Sequence, residues 1–171
     1  MTDVTIERVH APTDEIVSGL AELLLDAVAD NAGISFMAGL ARGEAEAWWR
    51  SVLDKATART VVLIARRDDA IVGTVQLQPA WPPNQPHRAD VAKLMVHTRA
   101  RRGGVARLLM QELERHARAQ NFTLLLLDTV REGAAEQLYA GMGWVRVGVV
   151  PNFAYNPDGT LCDTVFFYKN L

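Results

Sequence analysis

Apolar residues along this chain change spacing from every second position to every third or fourth and back, and each change marks an element. Val4, Ile6 and Val9 alternate with polar neighbours, the period of a strand with one buried face. Ile16, Leu20, Leu23, Leu24, Ala27 and Val28 recur at helical spacing behind the start signal Pro12-Thr13-Asp14, and Asn31-Ala32-Gly33 ends that helix. A loop carrying Ile34, Phe36 and Met37 leads to a shorter helix around Glu44 to Ala56, whose adjacent Trp48 and Trp49 must point one ring inward and the other outward. Thr60 to Ala65 and Ile71 to Leu77 are apolar runs joined at Asp68-Asp69, the pattern of a hairpin. Trp81-Pro82-Pro83-Asn84-Gln85-Pro86 fits neither ladder nor helix and is a surface loop. A strand over 89–97, a helix over 104–120 and a short buried strand from Thr123 to Asp128 follow. Ala135, Leu138, Tyr139 and Met142 mark a short helix stopped by Gly143, and strands from Trp144 to Val150 and Thr164 to Lys169 flank a turn at Asn156-Pro157-Asp158-Gly159. This order predicts an α/β fold, a mixed sheet of about seven strands with four helices on its two faces.

The joint between the 89–97 strand and the next helix carries the first sign of chemistry. Arg101-Arg102-Gly103-Gly104-Val105-Ala106 places two glycines where a strand turns into a helix, so no Cβ keeps a ligand from the backbone. The first helical turn offers unpaired N–H groups and a positive dipole end, and Arg99, Arg101, Arg102 and Arg107 crowd the same spot. A phosphorylated ligand suits this joint. The spacing matches neither G-x-x-x-x-G-K-[ST] nor G-x-G-x-x-G, which argues against a nucleoside-triphosphate loop and a dinucleotide fingerprint.

Composition narrows the rest. The 171 residues suffice for one domain, 1–171, with a well-buried core, and 49% apolar with 22% charged residues is ordinary globular composition. A net charge of −2 argues against a nucleic-acid partner. Cys162 is the only cysteine, which excludes an internal disulfide and fits a reducing compartment. The first residues lack a basic stretch followed by an apolar one, and the longest apolar run, Leu124 to Leu127, is too short for a bilayer. A cytoplasmic protein without a membrane partner is expected. His10, His87 and His116 have no metal-ligand spacing and H-E-x-x-H is absent, so no metal is expected.

R-x-x-G-x-A after a Leu-x-Val strand end resembles the acetyl-CoA pyrophosphate motif of the GNAT family, the Gcn5-related N-acetyltransferases. A second segment, Ala135-Glu136-Gln137-Leu138-Tyr139-Ala140-Gly141-Met142-Gly143-Trp144, resembles that family's A-x-x-[LF]-Y-x-x-x-G-[FW] at the usual separation, with a strand between. The element order also matches the GNAT fold from end to end, and Phe166-Phe167-Tyr168-Lys169 resembles its last strand. Within the family, Ile34 to Leu40 and Lys93-Leu94-Met95-Val96 are similar to the tabtoxin-resistance-type acetyltransferases. One position departs: many members carry asparagine seven residues before the tyrosine, where this chain has Glu132.

The resemblance implies acetyl-CoA as cosubstrate and transfer of its acetyl group to a primary amine by direct attack. It implies that the backbone of Leu94, Met95 and Val96 pairs with the pantetheine arm, and that Arg101, Arg102, Gly103, Gly104, Val105, Ala106 and Arg107 hold the pyrophosphate. Tyr139 would protonate the departing thiolate, a role that suits a phenol, neutral and a donor at pH 7. Asp90, near the start of the strand entering the loop, or Asp128, at the carboxyl end of a central strand, would take the amine's proton. His97 is a weaker candidate base, on a loop among arginines. Phe36, Met37, Trp81, Phe153 and Tyr155, read as loop aromatics and a methionine, are expected to wall the acceptor pocket. Three readings of function follow: acetylation of a small molecule (a metabolite, antibiotic or toxin), acetylation of a protein or peptide, or acyl-CoA sensing without catalysis. A closed pocket favours the first and an open groove the second. Exposed tryptophan and strand edges are compatible with a homodimer.

Overall fold

The computed structural model describes residues 4–171. Its elements run β1 Val4–Arg8, α1 Asp14–Ala29, α2 Arg42–Asp54, β2 Val61–Arg67, β3 Ala70–Pro79, β4 Arg88–Val96, α3 Val105–Ala119, β5 Leu124–Val130, α4 Ala134–Ala140, β6 Val145–Tyr155 and β7 Leu161–Asn170, with one 3₁₀ turn at Thr98–Ala100 between β4 and α3. The seven strands form one sheet in the order β1-β2-β3-β4-β5-β7-β6, antiparallel everywhere except between β4 and β5. The predicted mixed α/β sheet of seven strands with four helices is the observed one.

Local chemistry accounts for the helix starts. The Thr13 hydroxyl accepts from the Ile16 N–H at 3.3 Å, and Asp14 and Glu15 meet the positive end of α1. Glu44 reaches back to the Ala41 N–H at 2.9 Å to begin α2. Helices α1 and α2 cover one face of the sheet, burying Leu20, Leu24 and Trp49 against Val62 and Ile64. Helix α3 covers the other through Val105, Leu109 and Leu113, joined there by Tyr139, Trp144 and Phe167. Burying each such aliphatic side chain contributes about 1.5–3 kcal/mol. At Gly73 on β3 an added Cβ would lie 3.0 Å from Leu109 Cδ1 and 3.1 Å from Val105 Cγ1, so α3 sits at the closest approach the sheet allows. No helix among the described residues is long and apolar enough to cross a membrane.

Two features of the sheet shape the site. The parallel pair β4–β5 is joined over only three positions, Arg88↔Leu124, Ala89↔Leu125 and Asp90↔Leu126, after which the strands part. Strand β4 is also bulged: Thr74 faces Met95 but Gln76 faces Ala92, and Lys93 in the extra length takes φ +54°. A lysine in that region costs about 1–3 kcal/mol, held here by the surrounding ladder.

The last hairpin is longer than its sequence suggests. β6 runs on to Tyr155 and β7 begins at Leu161, because irregularities between Val150 and Ala154 let Pro151 and Asn152 (φ +53°) sit inside an edge strand. Phe153 and Tyr155 therefore lie on a strand and not, as expected, in a loop.

Candidate active site

The parting of β4 and β5 opens a cleft of about 150 Å³, lined by Val91, Ala92, Lys93 and Leu94 on one bank and Asp128, Thr129, Ala135 and Tyr139 on the other. Gly33, Ile34 and Ser35, from the loop joining α1 to α2, form its roof. Asp90 stands at the last paired position, the crotch of the fork, and Asp128 two residues beyond that pair's partner on β5.

At the carboxyl end of β4 the chain makes the predicted strand-to-helix turn. Gly104 is the residue before α3, with φ +78°, and nothing lies within 4 Å of where its Cβ would be. The Leu108 N–H bonds the Gly104 carbonyl at 3.1 Å, while among the described residues none of the N–H groups from Arg102 to Arg107 finds a partner. Val105 is buried and anchors the helix; Ala106 is half-buried and Arg102, Gly103 and Arg107 are exposed. The arginine cluster is divided. Arg101 pairs with Asp30, the residue after α1, and donates through Nε to the Val96 carbonyl at 3.3 Å, and Arg99 stands 3.9 Å from Glu22. Arg102 and Arg107 pair with no carboxylate among the described residues. A further guanidinium, unnoticed in the sequence, joins them: Arg67 at the end of β2, whose Nη2 would lie 3.2 Å from a Cβ on Gly103 and whose Nε is buried without a partner.

The open edge of β4 supplies a backbone surface. Past Asp90, Leu94, Met95 and Val96 pair on the β3 side through Met95 and Val96 but have no strand on the β5 side. Met95 turns its side chain into the core under α1, whereas Leu94 and Val96 pack towards α3. Free strand edge, orphan N–H groups and missing Cβ atoms together fit an extended ligand ending in phosphates.

Tyr139 is only 5% exposed, stacked at 5.9 Å ring-centre distance against both Trp144 and Phe167. Its hydroxyl makes no hydrogen bond with the described residues. Burial first, and the Asp128 carboxylate second, push the phenol well above its ordinary range, so it carries its proton at neutral pH. Asp90 is held by Arg88, yet burial outweighs that pairing and, with Asp128 adding a like charge, raises its carboxyl above the usual range. Asp128 is exposed and accepts from the Thr164 hydroxyl at 3.1 Å. Glu132, where many relatives have asparagine, points to Arg131 at 3.3 Å, and its N–H is taken by Glu136 at 2.7 Å.

None of the five expected pocket walls is among the residues lining the cleft, though Phe36 and Met37 stand on the roof loop. Phe36 is half-buried on the roof loop, edge-on to Trp48 at 5.0 Å, and Met37 follows it, 48% exposed. Trp81 is 90% exposed in the β3–β4 loop, at the other end of β4 from the phosphate turn, and does not line the cleft. Phe153 and Tyr155 stand on β6 outside it too, Phe153 against Phe166 at 5.6 Å. Trp49 is fully buried, whereas Trp48, expected outward, is half-buried between Phe36 and the core under α1 and α2. His97, expected on an open loop, is tucked against α1 with Nδ1 3.3 Å from Asp26. Cys162 is buried and donates to the Ala154 carbonyl. Among the described residues no group of three or more His, Cys, Asp or Glu gathers to hold a metal.

Such a fork, with a helix N-terminus at its mouth and a protonated phenol inside, has the shape and the free donors to receive a long phosphorylated ligand. Comparison with known proteins gives the class. The model of the Acetyltransferase (GNAT) family matches residues 25–144. The chain is 34% identical over 139 residues to an uncharacterised N-acetyltransferase in the hisH-hisA intergenic region of Azospirillum brasilense, covering 80% of this chain and 81% of that protein. Two solved structures share the fold: ribosomal-protein-alanine N-acetyltransferase from Brucella melitensis (TM-score 0.80, 22% identity, 98% and 99% of the two chains) and yncA from Salmonella typhimurium, solved with its cofactor acetyl-CoA (TM-score 0.76, 19% identity, 98% and 94%). The chain belongs to the GNAT family and is an acetyltransferase.

Proposed function

We propose that this enzyme moves an acetyl group from acetyl-CoA to the primary amine of a small molecule, by direct attack, in the cytoplasm. The observation that carries the acceptor's size is the roof. Gly33 lies so near β5 that a Cβ on it would fall 2.5 Å from Val130 Cγ2. Asn31 exchanges two hydrogen bonds with Asp158 of the β6–β7 turn, at 2.9 and 3.0 Å, and the Ala38 N–H donates to the Pro157 carbonyl at 3.0 Å. These ties fasten the roof loop to the β6–β7 turn, and about 150 Å³ under it holds a small head group more readily than a peptide backbone.

In this reading the N–H groups of Arg102 to Arg107, with Arg67 beside Gly103, hold the pyrophosphate. The free edge of Leu94 to Val96 pairs with the pantetheine arm, and one of its N–H groups polarises the thioester carbonyl. Asp90, raised by burial, accepts one proton from the substrate ammonium, with Asp128 attracting the cation. The amine nitrogen then bonds to the acetyl carbon as the carbon–sulfur bond breaks. Tyr139 gives its proton to the leaving sulfur and is restored by the second proton from nitrogen. Cys162 stands apart with no base beside it, so no acyl-enzyme is needed.

Thioester consumption with a panel of small amines and N-terminal peptides tests this reading. Turnover of small amines above peptides is expected. Preference for peptides would transfer the site to protein acetylation, and acetyl-CoA binding with no turnover of any amine would make the chain a sensor.

A further inference from the structure

Lys93 is the charged residue of the cleft lining to which no role has been given. It sits at the β4 bulge, three residues beyond Asp90, and its Nζ donates to the Ile34 carbonyl at 2.8 Å and the Ser35 hydroxyl at 2.9 Å. Both partners are neutral, and among the described residues no carboxylate oxygen comes within 4 Å of Nζ. The ammonium lies 5.7 Å from the Phe36 ring centre and 5.8 Å from that of Trp48, which form an aromatic wall behind it. Lys93 is half-buried, its charge is met only by dipoles and ring faces, and one of its three N–H donors is unused. Asp128, on the opposite bank of the same cleft, is near enough to act on it through space but not to pair with it.

A half-buried cation facing a carboxylate across a small cleft is complementary to a molecule bearing both charges. Resting on the proposed amine acetylation, the geometry points to a zwitterionic acceptor of the α-amino acid kind. Its carboxylate takes the free donor of Lys93, and its ammonium lies towards Asp128 and Asp90. The roof serves the same end, because Ile34 and Ser35 fix where Nζ stands and Phe36 and Trp48 keep water from it. A loop clamp alone would be satisfied by a neutral donor. The strained backbone that brings an ammonium to this point has a purpose if the charge itself is used.

The test compares kcat/KM for the common L-amino acids, each with its carboxamide and its decarboxylated amine, in the parent enzyme and in Lys93→Met. In the parent, at least one amino acid should exceed its own amide and amine by tenfold or more, the scale of a lost charge-assisted hydrogen bond. Lys93→Met should erase that advantage. Amides or amines used as well as the free acids by the parent would overturn the inference and leave amine acetylation standing, a comparison that needs no variant. Equal losses on acids and amides in Lys93→Met would also overturn it, making Lys93 only a clamp for the roof. Turnover of none of these compounds while other small amines are acetylated would also overturn it, and turnover of peptides alone would remove the small-molecule reading and the inference with it.

Discussion

The two ends of the cleft are built on different plans. At the β4–α3 turn, the proposed phosphate site, the free groups are main-chain N–H groups of consecutive residues, Arg102 to Arg107, and Gly103 and Gly104 carry no side chain. Under the roof the groups are side chains brought from separate stretches: Lys93 from β4, Asp128 from β5 and Tyr139 from α4, with Phe36 of the α1–α2 loop behind Lys93. A site made of contiguous backbone tolerates change in most of its side chains but not in its shape. A site made of dispersed side chains can change its ligand by one substitution while the fold is kept.

The strongest way to break this contrast is Gly104→Asp. It adds a side chain and a negative charge at a φ of +78°, among donors meant for phosphate. Affinity for acetyl-CoA, measured by calorimetry, should fall at least 100-fold, while circular dichroism reports an unchanged fold. Unaltered affinity would move the phosphate site away from this turn.

Tyr139→Phe probes the other end with almost no change of shape. Turnover should fall about 100-fold, the usual scale for a general acid, with acetyl-CoA affinity within a few-fold of the parent. Full turnover would reduce Tyr139 to a packing partner of Trp144 and Phe167.

Asp128→Asn sharpens the comparison through charge. Asp128 raises the Asp90 carboxyl as a like charge, so its removal makes ionised Asp90 easier to form and lowers that titration. A carboxyl-carbon NMR titration of Asp90 should move to lower pH, carrying the acid limb of the base-dependent step with it, and the acceptor's KM should rise several-fold. Movement to higher pH would mean that another group dominates at the fork.

The smallest effect is expected from Asn31→Ala, which cuts two exposed hydrogen bonds between roof and β6–β7 turn. With each worth about 0.5–1.5 kcal/mol, part of which water replaces, the acceptor's KM should rise roughly two- to fivefold. Acetyl-CoA affinity should stay unchanged, and amides of residues 33–39 should exchange faster with solvent. A change confined to acetyl-CoA affinity would show that the roof serves the other end.

Much of this molecule was legible before its structure, and the misses share one cause. Leu109 and Leu113 announced α3, and Gly103-Gly104 announced its phosphate-ready start, because those signals lie within one turn of chain. Arg67 was overlooked since nothing in β2 says that its end comes beside Gly103, thirty-odd residues on. Lys93 stood in view as a charge in the apolar run Val91 to Val96, but its meaning depends on a bulge created by pairing with β3. Trp81, Phe153 and Tyr155 were grouped with Phe36 by exposure and residue type, which carry no information about which end of a sheet a side chain occupies.

Periodicity, caps and turn residues thus determined the element order and the glycine turn before α3, because the forces behind them act between residues a few positions apart. The position of Asp90 at the crotch of a fork, the closing of the roof by Asn31 and Asp158, and the unpaired charge of Lys93 were decided only by tertiary structure. Each arises where strands β4 and β5 part and distant loops pack across the gap, contacts whose free energy depends on the assembled sheet and on no single stretch of chain.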